Sequence, residues 1–418
     1  MLRESHLVPQ KRPLSQRSSS KFFYLVDAVA KHHEPTKTQL GALESSYGAT
    51  GEYLMACDEF RDLVMTVHAQ GSREIGTIIR PLHHLRPDGF DIDLVVRLRR
   101  AALQKYGGDQ GPGRLINDLF IVLKRYADRH GLAITKWERC VTLEYTDGMC
   151  ADITPIIEEP LFSTPYGDTH ARVPDRALRL YEPSNPMGLA NSFNKAARIS
   201  PVFTHSFALD SAMESVQRAE LVPLPDADEV LDRLLSRLVQ ILKLHRNVAF
   251  GAPVAGKDFA PKSVFITSLA AAAYALRAPI PHDDPLDLLL DIVDTMPLCF
   301  ERQLLASGAE FWSMPNLTAP GDNLASGMNT LRHQAAFANW HKRLTGHLQQ
   351  LLQCIEGRGL DPLLRVVDDA FGARAAQAVR ELEEPRPVPN VARKIVVAST
   401  AAATTVSMPA RSHTFFGQ

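Results

Sequence analysis

The chain has 418 residues, a net charge of -1 and 45% hydrophobic residues, which bounds it to about two or three domains and excludes a protein held on nucleic acid mainly by net charge. Five cysteines (Cys57, Cys140, Cys150, Cys299, Cys354) are scattered with no Cys-x-x-Cys pair, which argues against a zinc ribbon or finger and fits a reducing cytoplasm. No apolar run reaches membrane-spanning length and the N-terminus has no apolar h-region, so neither a membrane partner nor a signal peptide is expected, and the expected location is cytoplasmic.

Residues 1–19 are polar, basic and Ser-rich and are expected to be disordered. Apolar residues Phe22, Leu25, Val26 and Val29 have helical spacing over 22–32, and a second helix begins near Thr36 or Thr38 and runs towards Cys57. Val64–Gln70 alternates, with Met65, Val67 and Ala69 on one face, and reads as a strand that enters a Gly71-Ser72 turn. Pro87-Asp88-Gly89 signals a turn before the run Phe90-Asp91-Ile92-Asp93-Leu94-Val95-Val96. The glycine-rich stretch 106–113 resembles a phosphate loop only in composition, because it lacks the Gly-Lys-Ser/Thr ending. An amphipathic helix follows over 115–130 with Gly131 as its stop, then strands over 133–137, 140–145 and, after Asp147-Gly148, over 149–157.

From about residue 186 the pattern is helical: 186–197, 226–247, 261–276, 285–305, 322–355 and 361–382. Residues 384–418 read as a mostly unstructured tail with a short apolar terminus. The domains expected are therefore a disordered 1–19, a catalytic lobe over 20–185 with its core at 60–160, a helical lobe over 186–383, and the tail. The fold class is α+β, with a mixed β-sheet lobe carrying helices and a second, mainly α-helical lobe.

Chemistry concentrates in 71–93. Residues i and i+2 of a strand share a face, so Asp91 and Asp93 project together. Paired carboxylates repel unless a cation lies between them, and hard oxygen ligands suit Mg²⁺, which binds substrate phosphates as well. The Gly71-Ser72 turn offers backbone N–H groups and a hydroxyl to an anion. Asp152, isolated in the apolar run 149–157, is the pattern expected of a third carboxylate on a neighbouring strand. Together they suggest nucleotidyl transfer at a two-metal site, with Asp152 also able to draw a proton from an acceptor hydroxyl. Lys243, Arg246, Lys262 and Ser263 are candidate phosphate contacts from the helical half, while Lys243 on pattern alone is also the solvated flank of an amphipathic helix. His83-His84 read as loop histidines, His245 as a packed helix histidine, Asp283-Asp284 as a helix cap, and Trp312 and Trp340 as core.

The chain resembles a known family in Gln70-Gly71-Ser72, Gly76-Thr77, Arg80-Pro81 and Phe90-Asp91-Ile92-Asp93-Leu94-Val95. It resembles that family again in Met149-Cys150-Ala151-Asp152-Ile153-Thr154-Pro155, in Leu242-Lys243-Leu244-His245-Arg246-Asn247, in 260–271, in Trp312-Ser313-Met314-Pro315-Asn316 and in Pro320-Gly321-Asp322-Asn323. The family is the bacterial cGAS/DncV-like nucleotidyltransferases of antiphage operons, within the DNA polymerase β-like superfamily. The resemblance implies a two-lobed enzyme that joins nucleoside triphosphates, ATP among them, into a cyclic di- or trinucleotide and releases pyrophosphate. It implies Mg²⁺ or Mn²⁺, two ions per site, held by Asp91, Asp93 and Asp152. It gives Gly71 and Ser72 the triphosphate grip and Lys243 and Ser263 the phosphate contacts from the helical lobe. Its implied partners are an effector protein that reads the product and an operon-encoded regulatory or conjugation partner acting through the C-terminal tail, although Gln418 follows Gly417 where a small terminal residue is joined in relatives. Arg73 and Asn247 depart from the family pattern. The zinc cysteines and basic face of the animal DNA sensor are missing, so no duplex DNA requirement is expected. Rival readings are a linear oligonucleotide synthase, a nucleotidyltransferase acting on a protein or small-molecule acceptor, and an inactive nucleotide-binding scaffold.

Overall fold

The computed structural model describes residues 16–80, 90–145, 148–204, 234–251 and 258–383. His83-His84, the Pro87-Asp88-Gly89 turn, Asp147, the beginning of the 226–247 stretch, the tail 384–418 and most of the N-terminal stretch lie outside them.

Helix α1 (Gln16–His32) leads into α2 (Lys37–Ala56). Thr36 caps α2: its hydroxyl accepts from the Gln39 N–H while the Gln39 side chain accepts from the Thr36 N–H, a reciprocal capping box. Next come β1 (Val64–Gln70), β2 (Asp91–Leu98), α3 (Ala102–Tyr106), α4 (Gly111–His130), β3 (Ala133–Lys136), β4 (Val141–Glu144) and β5 (Cys150–Glu158). Strands β6 (Ala171–Asp175) and β7 (Leu180–Ser184) complete a seven-stranded sheet of order β1-β2-β5-β4-β3, with β6 joined to β5 and β7 to β6. β2 and β5 are parallel; every other pair is antiparallel.

One face of this sheet is apolar. Ile92, Leu94, Val96 and Leu98 of β2, Ala151 and Ile153 of β5, and Val141 and Leu143 of β4 pack against Leu115, Leu119, Val122 and Leu123 of α4. The period-two alternation of the strands and the stripe of α4 meet in this core, as their patterns require. Gly111 starts α4 because a Cβ there would lie 1.8 Å from the Tyr106 carbonyl oxygen; the glycine-rich stretch thus serves close packing between α3 and α4. A register irregularity between Val64 and Thr66 places Val64, rather than Met65, in the core.

The second core is helical. It is built by α1, α5 (Pro186–Ala197), α6 (Leu234–Phe250), α7 (Ser263–Arg277), α8 (Pro285–Thr295), α9 (Leu331–Gln353), α10 (Leu360–Phe371) and α11 (Ala373–Glu383). Helix α1 starts inside the stretch read as disordered, and although it precedes the sheet lobe in the chain, its Phe22, Leu25, Val26 and Val29 pack in this helical core. Trp312 and Trp340 are buried here, as expected. Asp284 caps α8 by accepting from the N–H groups of Leu286 and Asp287.

Three helix readings need correction. The 285–305 stretch stops at Thr295, turns through a short Pro-containing 3₁₀ segment (Met296–Leu298), and becomes a hairpin of β8 (Glu301–Leu304) and β9 (Glu310–Ser313). Proline withholds the donor a continuing helix needs, and the Arg302 guanidinium stacks over Phe300 and Trp312, 4.9 and 5.2 Å from the ring centres. The 322–355 stretch is helical only from Leu331, because Asn323 and Asn329 bind the backbone of Trp312, Met314 and Ala325 in a side-chain-tied loop. The 361–382 stretch is two helices, parted at Gly372. β6 and β7 were not anticipated. Each carries a proline, which demotes a stretch as a strand by pattern.

Candidate active site

The polar face of the sheet carries a single row of facing residues. Gln70 of β1 pairs with Asp93 of β2, Asp93 with Asp152 of β5, Asp152 with Thr142 of β4, and Thr142 with Thr135 of β3. Paired residues of neighbouring strands project to the same face, so Asp93 and Asp152 are lateral neighbours. Asp91, exposed at the start of β2, lies one pleat away opposite Cys150. The parallel pairing of β2 with β5 therefore unites the three sequence-predicted carboxylates on one side of the sheet.

Burial and mutual repulsion tune this row. Asp93 is pushed up to about 6, first by burial, then by Asp152 and Asp91, with Lys243 opposing. Asp152 is raised by burial and Asp91, and a hydrogen bond from Thr142 opposes the shift. The Cys140 thiol is pushed up to about 12 by burial and by the same carboxylates, so it stays protonated.

The Gly71-Ser72 turn folds over Asp93. Gly71 has φ +62° and a Cβ there would meet Asp93 Oδ2 at 2.4 Å, so the position accepts glycine alone. The turn closes with the Thr77 N–H donating to the Ser72 carbonyl at 2.8 Å. Arg73, the departure from the family pattern, ion-pairs with Glu44 of α2.

Helix α6 then holds the segment that leaves the turn. Ser236 Oγ donates to the Ile75 carbonyl at 3.1 Å and Gln240 Nε2 to the Ile78 carbonyl at 3.2 Å. Lys243 Nζ donates to the Thr77 carbonyl at 3.2 Å and its hydroxyl at 3.0 Å. Lys243 is 7% exposed, so the solvated-flank alternative does not describe it. Burial lowers its pKa to about 8, against the pull of Asp93. Behind this stripe, Arg237 is buried between Asp27 of α1 (2.9 Å) and Glu34 (2.6 Å), and Gln240 also bonds Glu34.

The structure does not bring the other helical candidates to the carboxylates in the same way. Ser263 opens α7, and among the described residues no hydrogen bond joins it to the row. Lys262 pairs with Asp258 at 3.1 Å. Arg246 donates to Asn247 Oδ1 and to the Pro261 carbonyl, tying α6 to the start of α7; Asn247, the second departure, is thus its acceptor. His245 is buried against His347 at 3.0 Å, a packed histidine as read. Sequence reasoning missed Thr77, Gln70 and Thr142. Gln70 and Thr77 stand inside the motifs that carry the resemblance but were given no role, and Thr142 carried a signal as a polar residue alternating with Val141 and Leu143 in a strand pattern.

The donor set tests well for a divalent cation in type: hard carboxylate oxygens that repel one another and are partly buried. It is not a finished cage. Among the described residues no group of three or more His, Cys, Asp or Glu is placed to hold an ion, and Asp152 Oδ1 is taken by Thr142.

Residues 26–196 match the Second Messenger Oligonucleotide or Dinucleotide Synthetase domain. A 173-residue stretch, 39% of the chain, is 28% identical to a cyclic dinucleotide synthase, CdnG, of Bradyrhizobium diazoefficiens, and spans 38% of that relative's length. In fold the chain is similar to the CdnG structure solved with GTP (TM-score 0.61, 18% identity), with 87% of this chain and 100% of that one covered. It is also similar to CdnC of Escherichia coli MS115-1 solved with ATP (TM-score 0.52, 14% identity), with 84% and 97% covered. Residues 26–196 are thus similar to a second-messenger synthetase domain, and the α+β fold is similar to those of CdnG and CdnC.

Proposed function

We propose that the protein joins nucleoside triphosphates into a cyclic di- or trinucleotide second messenger with release of pyrophosphate, in bacterial antiphage signalling. The observation that carries this reading is the register pairing of Asp93 with Asp152 beneath the Gly71 turn. The acceptor ribose hydroxyl forms a bond to the α-phosphorus, the bond from that phosphorus to the bridging oxygen breaks, and pyrophosphate leaves. Asp152, whose pKa burial raises from its ordinary value, receives the hydroxyl proton. Ser72 and the backbone of the turn grip the triphosphate, and Lys243, tied to Thr77, sets the turn's position and offsets the carboxylate charge. Ser263 is a phosphate contact from the helical lobe. Mg²⁺ or Mn²⁺, two ions held by Asp91, Asp93 and Asp152, would supply electrostatic stabilisation of the transferring phosphoryl group.

The reading extends to an effector that responds to the product and to a regulatory or conjugation partner at the 384–418 tail. GTP in CdnG and ATP in CdnC support nucleoside triphosphates as substrates. Incubation with radiolabelled ribonucleotides and Mg²⁺, phosphatase treatment and mass spectrometry test the proposal. A phosphatase-resistant product of cyclic mass is expected. A phosphatase-sensitive oligomer or a labelled acceptor would establish the linear or acceptor-directed readings instead.

A further inference from the structure

The polar row continues past Asp152 to an exposed aromatic. Trp137 follows β3 and its indole Nε1–H donates to Thr142 Oγ1 at 2.8 Å; Thr142 in turn donates to Asp152 Oδ1. A threonine hydroxyl has one proton, so these two bonds fix its direction: the lone pair accepts from the indole and the proton goes to the carboxylate. Because Thr142 and Asp152 share a face by register, the indole reaching Thr142 lies on that face too. Trp137 is nonetheless 55% exposed, while Trp312 and Trp340 are 3% and 2% exposed in the helical core. A large apolar ring is thus held at a fixed edge, open to solvent, two hydrogen bonds from the carboxylate that faces the acceptor.

We propose that Trp137 is the stacking platform for the nucleobase of the acceptor nucleotide, and that Thr142 is the positioning residue that aims Asp152 at the ribose hydroxyl. This rests on the nucleotidyltransferase reading of the row. An indole face binds any base by stacking, so the platform sets where the acceptor lies and leaves base choice to other groups. The indole nitrogen is pinned while more than half of the residue stays exposed, which suits a ring that must receive a flat ligand without moving.

The full-length protein tests this in two ways. In the first, AMP or GMP, which have no pyrophosphate to release, is titrated while acrylamide quenching of tryptophan fluorescence is followed. The nucleotide should shield the exposed tryptophan saturably, and Trp137→Phe should remove the shielded component. In the second, Trp137→Ala should raise the KM for nucleotide roughly tenfold or more, with kcat changed far less, because a stacked base is worth about that much in affinity. Trp137→Phe keeps a face and should hold KM within about twofold. Thr142→Val should lower kcat and, because it also frees the indole edge, raise KM by less than Trp137→Ala does, while Thr142→Ser, which keeps the hydroxyl, should restore both. Transfer activity with an unchanged KM in folded Trp137→Ala, or acrylamide access unaltered at saturating nucleotide, would overturn the platform. Saturable shielding without any transfer would support the platform while removing the synthase reading, so the two failures are told apart.

Discussion

Lys243 and Thr77 are joined twice, the ammonium donating to both the carbonyl and the hydroxyl of the threonine. A buried ammonium keeps its charge only with such partners, and this one also offsets Asp93. Lys243→Ala should abolish or sharply reduce nucleotide transfer and cost about 1–3 kcal/mol of stability, since two buried acceptors lose their donor. Urea unfolding and product formation measure the two effects. Thr77→Val, which keeps the carbonyl, should cost less in both.

Asp93→Asn should act in opposite directions on activity and stability. The folded state holds the Asp93 proton at about 6 against an ordinary 3.8, so ionisation penalises the fold as pH rises through that window, with the full penalty present above it. At pH 7.5 the asparagine variant should be more stable by on the order of 1–3 kcal/mol and inactive. Millimolar Mg²⁺ should raise the melting temperature of the wild type and leave an Asp91→Asn, Asp93→Asn double variant unmoved, as differential scanning fluorimetry would show.

Arg237 lies 2% exposed between Asp27 and Glu34. Arg237→Ala leaves two carboxylates without their shared cation, a change that typically costs about 3–5 kcal/mol. Chemical unfolding should show this loss, with the Gln240 contact to the turn segment weakened alongside it, read as a higher KM.

Acid should unfold the helical lobe through two buried histidines. Burial holds His33 down to about 4 and His245 to about 3, against an ordinary 6.5. Their folded pKa values are lowered, so the stability they contribute is complete above 6.5 and is lost as pH falls towards those values. The slope should be about 1.4 kcal/mol per pH unit for each group. His245→Gln should flatten the curve below pH 6 in denaturant unfolding followed across pH.

The sheet lobe was legible because its signals are local. Alternation in 90–96 and 149–157 reports the face of each aspartate, and Thr36 with Gln39 marks a helix start by itself. The register that unites Asp93 with Asp152 is a pairing across 59 positions, which no local pattern encodes. Lys243 illustrates the same limit: its flanks Leu242 and Leu244 make α6 evident, while its burial comes from a segment more than 160 positions earlier. β8 falls inside the 285–305 helix reading because Leu304-Leu305 prolong the apolar stripe of α8, whereas the proline after Met296 and the Arg302 stack on Trp312 turn the chain into a hairpin.

The grip of α6 on residues 75–78 has a mechanical consequence. Ile75 and Ile79 also pack against the helical core, while Ile78 packs in the sheet core and Gly71 leans on Asp93 in the sheet, so both lobes hold this segment. Any rotation of one lobe against the other must therefore strain residues 71–79, which both cores grip. The proposed triphosphate grip thus lies on the joint, where a seated nucleotide would act as a splint between the lobes.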